Sequence, residues 1–279
     1  MHTIIGLGSM GGNIAEKFEQ KPGFTVKFID FDIEGDNAYN LGYQASSEEY
    51  EESVNPQIEE LSKFLSDVTD EIFLIVDGSE HICGATLQVL KLVKDKQISV
   101  VYVKPDVGLL NEIGRQQDRV FYNVFQEYAR SGVFKKTYIF SLINVEQMLD
   151  DIPIAEYNDK ITEYVYTCLH TFLNLSKQKA IIDNYNEPKD ISRIATLGLY
   201  NLESGDEYLM ANMQPIDEKC YYFLINENDL KTNGKLFRVI KDKMRAMVQD
   251  NTKISYRIHS SEHEQNFCYV VAYTKKVQE

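Results

Sequence analysis

Cysteine is scarce in this chain of 279 residues, and Cys83, Cys168, Cys220 and Cys268 lie far apart with no C-x-x-C pair among them. That spacing argues against a disulfide framework or a zinc site and fits reduced thiols. Positive charge is also short, with 29 Lys and Arg against 43 Asp and Glu and a formal net charge of −14. Binding to a phosphate backbone is driven by counterion release to basic groups, so direct nucleic-acid binding is not expected. No apolar run is long enough to span a bilayer, and no charged-then-apolar leader follows Met1. The expectation is a cytoplasmic protein with no membrane association. Internal repeats and low-complexity linkers are missing as well. The five histidines are scattered, and His259 and His263 read as satisfied or exposed side chains near a loop in a strand-rich region.

What is present starts at residue 6. Gly6-Leu7-Gly8-Ser9-Met10-Gly11-Gly12-Asn13 follows a short apolar segment and opens a helical pattern. Glycines at 6, 8 and 11 let the backbone turn sharply and bring its N–H groups, with the positive end of the next helix, toward a pyrophosphate. Short apolar runs at Thr3–Gly6, Thr25–Phe31, Ile72–Val76, Ile98–Val103 and Thr137–Leu142 read as buried strands. Between them, Asn13–Gln20, Gln57–Ser66, Ala85–Lys94 and Glu112–Arg130 carry apolar residues at helical spacing, while Asp36–Glu52 reads as a loop and solvated face. This alternation predicts an α/β fold with a doubly wound, mostly parallel sheet.

Ile154–Lys177 reads as a long helix running through a core. Beyond it Tyr221–Ile225, Ile254–His259 and Phe267–Tyr273 read as strands, and Gly234–Gln249 as an amphipathic helix packed on them. A boundary near residue 180 follows, with a nucleotide-binding domain at 1–180 including the central helix and a smaller α+β domain at 181–279.

Two chemistries use a glycine-rich opening loop. One is dinucleotide binding, in which Asp30 or Asp32 at the end of the second strand accepts a ribose hydroxyl. The opening resembles the NAD-dependent β-hydroxyacid dehydrogenases, but that family's second domain is all helical and here it reads as strands. In its order of parts the chain resembles the tubulin/FtsZ superfamily, as a short, divergent FtsZ-like protein. Gly8, Gly11, Gly12 and Asn13 match the first phosphate loop, Asn55-Pro56 the third, Lys104-Pro105 a Lys-Pro pair after a strand, and Asn144 an Asn that contacts the guanine edge. Tyr157 matches in type the aromatic that stacks on the base.

The resemblance implies a GTP/GDP-binding protein with Mg²⁺, with Gly8, Ser9, Met10, Gly11, Gly12, Asn13, Gly78 and Gly84 around the phosphates. It also implies head-to-tail self-association, in which Glu187 and Asp190 of a neighbouring copy position the attacking water. Read by themselves, Glu187 is a solvated loop acid and Asp190 an N-cap for a helical pattern at Ile191–Leu197. One segment departs from the family. Where its run of glycines and threonines wraps the β- and γ-phosphates, this chain has Asp77-Gly78-Ser79-Glu80-His81-Ile82-Cys83-Gly84-Ala85-Thr86. Each charge-assisted bond so lost costs about 1.5–3 kcal/mol, and Asp77 or Glu80 facing a triphosphate repels it. The alternative is therefore a weakly or non-hydrolysing interaction protein serving a partner such as a phage or plasmid DNA-handling machine.

Overall fold

Each of the five apolar runs in the first half forms a buried strand, and all five lie parallel in one sheet. The computed structural model describes residues 1–149, 151–248 and 252–279. In chain order the first half comprises β1 (His2–Leu7), α1 (Gly8–Glu16), β2 (Phe24–Asp30), β3 (Ala38–Asn40), α2 (Ser47–Ser53), α3 (Ile58–Phe64), β4 (Glu71–Asp77), α4 (Thr86–Lys91), β5 (Gln97–Lys104), α5 (Glu112–Arg130), β6 (Lys136–Ser141), α6 (Leu142–Glu146) and the long α7 (Tyr157–Lys177). The second half adds β7 (Ile182–Asp183), β8 (Ile194–Tyr200), β9 (Glu207–Leu209), β10 (Glu218–Asn226), α8 (Glu227–Thr232), α9 (Leu236–Ala246), β11 (Lys253–Ser261) and β12 (Phe267–Thr274). The reading of Gly234–Gln249 as a helix ends at a residue outside the described ones.

The strand order is β3-β2-β1-β4-β5-β6-β8-β12-β10-β11-β7, with β9 paired to β8. Chain order reverses at β1, which pairs in parallel with β2 on one side and β4 on the other. Crevices above the C-terminal strand ends at such a reversal are where open α/β sheets bind ligands. Both faces are covered. On one, Tyr50, Leu61, Val89 and Phe125 bring α2 to α5 onto the sheet. On the other, Ile14, Ala15 and the α7 residues Ile161, Val165, Leu169 and Phe172 share a cluster with Leu197, Tyr222 and Val271 of the second half. A third cluster packs Ile240 and Met244 of α9 against Tyr221, Phe223 and Ile225 of β10.

Several expectations are corrected here. The segment Asp36–Glu52 contains the edge strand β3 and the helix α2, which Ser46 caps by accepting the Glu49 N–H at 3.2 Å. The first helix starts at Gly8 and not at Asn13. The expected helix at Ile191–Leu197 is β8, lying parallel to β6 and antiparallel to β12, with Ile194, Ala195, Thr196 and Leu197 all buried. Burial on both faces removes the polar stripe a surface helix needs, and the Thr196 hydroxyl donates to the Ile139 carbonyl at 2.8 Å. His259 lies inside β11, 3% exposed, and not beside a loop. No described helix is long and apolar enough to cross a membrane.

Candidate functional site

The glycine-rich loop sits where the sheet reverses. β1 ends at Leu7, Gly8 turns with φ +76°, and α1 begins at once. Leu7 offers no capping side chain, so the first-turn N–H groups of α1 need acceptors from elsewhere. They find them in Glu80, which follows β4 on the other side of the reversal. Its Oε2 accepts the Ser9 N–H and its Oε1 the Met10 N–H, both at 2.9 Å. The carboxylate also fills the space above Gly8, where a Cβ would lie 1.9 Å from Glu80 Oε2. An anion with two oxygens on two successive backbone N–H groups at a helix N-terminus is the arrangement a phosphate makes. Here the protein's own glutamate makes it.

The loop that carries Glu80 is firmly held. Buried Gln117 of α5 donates from Nε2 to the Gly78 and Glu80 carbonyls at 3.0 and 2.9 Å. Its Oε1 accepts the Ser47 hydroxyl at 2.6 Å and lies 2.9 Å from His81 Nδ1. Asp77 accepts the Ser79 N–H and hydroxyl, both at 2.6 Å. Next to it Asp118 accepts the Tyr102 hydroxyl at 2.7 Å and pairs with Lys104 at 2.9 Å. The sequence offered no signal for Gln117 or Asp118, since each is one polar residue on an amphipathic helix.

Burial pushes the Glu80 carboxyl up to about 7; the charges of Asp77 and Asp30 push the same way, and the bonds from Met10 and Ser9 oppose them. Burial also raises Asp77 and Asp30. Between the ordinary glutamate value of 4.5 and about 7, folded Glu80 holds a proton that the unfolded chain has released. Its contribution to stability is therefore full below the unfolded value and lost as pH rises through 7. Glu80→Gln is expected to remove up to about 3 kcal/mol of that pH dependence. Urea titrations of both proteins at pH 5 and pH 8 check this, and identical pH slopes would contradict it.

The remaining predicted residues divide. Gly8, Ser9 and Met10 build the cradle. Gly11 is buried under β4 and Gly12 is half-buried, with the Phe28 ring as the only atom near its missing Cβ, while Asn13 is exposed on α1. Gly78 and Gly84 serve packing: a Cβ at Gly78 would meet the Tyr102 hydroxyl at 1.8 Å, and one at Gly84 the Ser47 carbonyl at 1.9 Å. The Gly78 N–H donates to the Val103 carbonyl, so this second loop does not turn that donor to a ligand. Asn144 donates to the Leu209 carbonyl at 3.2 Å and to Asn212 at 3.3 Å. The Tyr157 hydroxyl donates to Glu146 while its ring packs on the α7 cluster. Glu187 and Asp190 are both exposed in the loop before β8, and no helix follows for Asp190 to cap. Among the described residues no group of three His, Cys, Asp or Glu is placed to hold a metal ion.

No protein-family model matches the sequence, and no curated protein matches it. Solved structures do match. An FtsZ dimer from M. jannaschii superposes with a TM-score of 0.71 at 12% identity, over 98% of this chain and 88% of that one. A GTPγS-form protofilament of TubZ from Bacillus thuringiensis serovar israelensis gives 0.74 at 11% identity, over 98% and 86%. This chain has the tubulin/FtsZ-like fold. The GDP-bound CetZ1 monomer of Haloferax volcanii agrees, with a TM-score of 0.72 at 12% identity over 99% and 94%. The FtsZ-like fold also displaces the dehydrogenase reading, because β8 to β12 stand where an all-helical substrate domain is required.

Proposed function

We propose that this protein is a self-associating interaction protein of the FtsZ-like fold whose phosphate cradle is closed by its own Glu80. The observation that carries the reading is the pair of 2.9 Å bonds from Ser9 and Met10 to that carboxylate. To enter, a nucleotide must remove Glu80 from two backbone hydrogen bonds, worth about 1.5–3 kcal/mol each once the carboxyl is ionised, as pH rises through about 7. It then faces Asp77 and Asp30 with like charge. Self-association is supported by the dimer and protofilament states in which the similar FtsZ and TubZ were solved.

A second reading is favoured by the cradle itself, whose donors remain in place and hold an anion. In it Glu80 swings out and guanine nucleotide with Mg²⁺ enters. Gly8 to Asn13 then hold phosphates, Asn144 and Tyr157 meet the base, and Glu187 and Asp190 of a neighbouring copy act on water. Retained nucleotide and thermal shift with GTP and Mg²⁺ separate the two. The first reading expects purified wild type to carry no nucleotide and not to shift with GTP. A wild-type protein that co-purifies with GDP, or gains several degrees with GTP, would overturn the closed cradle in favour of the second. If closure by Glu80 is what excludes the ligand, Glu80→Ala gains a GTP-dependent shift that wild type lacks.

A further inference from the structure

Charge is spread unevenly along this chain, and the two extremes lie far apart on the sheet. Between Lys27 and Lys63 there are ten Asp and Glu and no Lys, Arg or His. This stretch builds the end of β2, β3, α2 and their loops, with Asp32, Glu34, Asp36, Glu48 and Glu52 exposed. Among the described residues none of the ten acids has a Lys or Arg nitrogen within 4.0 Å. In the same surface Phe31 and Tyr43 are 43% and 71% exposed, and their rings pair edge to face at 5.6 Å.

From Lys231 to Val248 the balance inverts, with six Lys and Arg against the single acid Asp242. The buried face of α9 is spent on Ile240 and Met244. Arg238, Lys241 and Arg245, three and four residues apart, form one stripe on the helix and line a shallow hollow with Phe237 and Asp242. Arg245 pairs with Asp242 at 3.1 Å, whereas Arg238 and Lys241 have no acidic partner among the described residues.

Six strands stand between β2 and β10, the strand that α9 covers. At about 4.8 Å per strand that is a separation of about 34 Å. The Debye length at physiological salt is about 8 Å, so neither patch screens the other within one molecule. Two unlike surfaces at opposite ends of a subunit form a head-to-tail contact that repeats from copy to copy.

We propose that the occupant of this acidic surface is the α9 stripe of a second copy of this chain. Arg238, Lys241 and Arg245 meet the carboxylates of residues 30–52, and Phe31 and Tyr43 receive a guanidinium on their ring faces. The inference rests on the self-association reading above and names its contact.

The test uses two charge reversals, one of the stripe (Arg238→Glu, Lys241→Glu, Arg245→Glu) and one of the acidic surface (Asp32→Lys, Glu34→Lys, Asp36→Lys). All six positions are at the surface, and circular dichroism melts confirm that both variants fold. Sedimentation velocity at about 50 mM salt is expected to show wild-type assembly, weakened by at least about tenfold at about 0.5 M salt. In each variant alone the three reversed residues face native residues of the same charge on the next copy, and assembly is expected to be lost. In their equimolar mixture the reversed stripe of one variant meets the reversed acidic surface of the other, and the two native surfaces meet each other, so assembly is expected to recover. Reversals that assemble like wild type, or a mixture that stays dispersed, overturn this interface and leave self-association standing. A wild-type protein that is monomeric at low salt overturns self-association and this contact together.

Discussion

Gly11→Ala is expected to lower the melting temperature by about 6–12 °C, corresponding to about 3 kcal/mol in a chain of this size. The cause is backbone against backbone. A Cβ on Gly11 would lie 2.3 Å from the carbonyl oxygen of Ile75, in the middle of β4. A strand carbonyl inside a parallel ladder has little room to move, so α1 must lift off the sheet. Ser9 and Met10 ride on the same helix, and their N–H groups would leave Glu80 with it. The neighbouring Gly12→Ala is the control. Its nearest foreign atom is a Phe28 ring carbon at 3.9 Å, and a helical alanine is worth about 1 kcal/mol over glycine, so its melting temperature should hold or rise slightly. Equal losses at both positions would contradict the close-approach argument. For the same reason a bulky residue at Gly11 reports on packing before it reports on any ligand.

Arg257→Met is expected to cost about 3–5 kcal/mol, a fall of about 8–15 °C. Arg257 is 8% exposed, and its guanidinium lies at the C-terminal end of α7. Nη1 donates to the Leu175 and Ser176 carbonyls at 3.2 and 3.0 Å, and Nη2 to the Gln178 carbonyl at 2.7 Å. Those carbonyls end the helix and have no further turn to accept from, so the cation both satisfies them and complements the helix dipole. The Tyr185 and Tyr222 rings flank it at 5.1 and 5.8 Å. Methionine keeps much of the volume and none of the donors. Arg257→Lys should recover only part of the loss, because an ammonium cannot reproduce the planar fork across three carbonyls. Thermal melts of the three proteins test the order Arg, Lys, Met. A methionine variant as stable as wild type would show that water takes over those carbonyls without cost.

The elements legible in the sequence are those whose burial is written in local periodicity. α5 occupies Glu112–Arg130 as its apolar spacing predicts, and α7 fills the long helical stretch that ends at Lys177. The five parallel strands fall within a residue or two of their apolar runs because both faces are covered. The same burial conceals β8. Ile191, Ile194, Ala195 and Leu197 sit at spacings that fit a helix equally well, and only the partners β6 and β12 decide for a strand. β3 is three residues on the sheet edge, too short and too polar to announce itself.

The candidate site divides along the same line. The order of residues alone established a glycine turn feeding a helix, and with it a set of N–H donors that must find acceptors, since a helix start leaves those groups without an intrahelical partner whatever surrounds it. It also supplied carboxylates in the second loop where glycines belong in the resembled family. Which anion meets the donors was decided by tertiary structure, for Glu80 lies 71 residues from Ser9 and reaches it only because β1 and β4 are neighbours in the sheet. Local sequence governs which groups are left wanting a partner, and the packing of distant strands governs which group arrives.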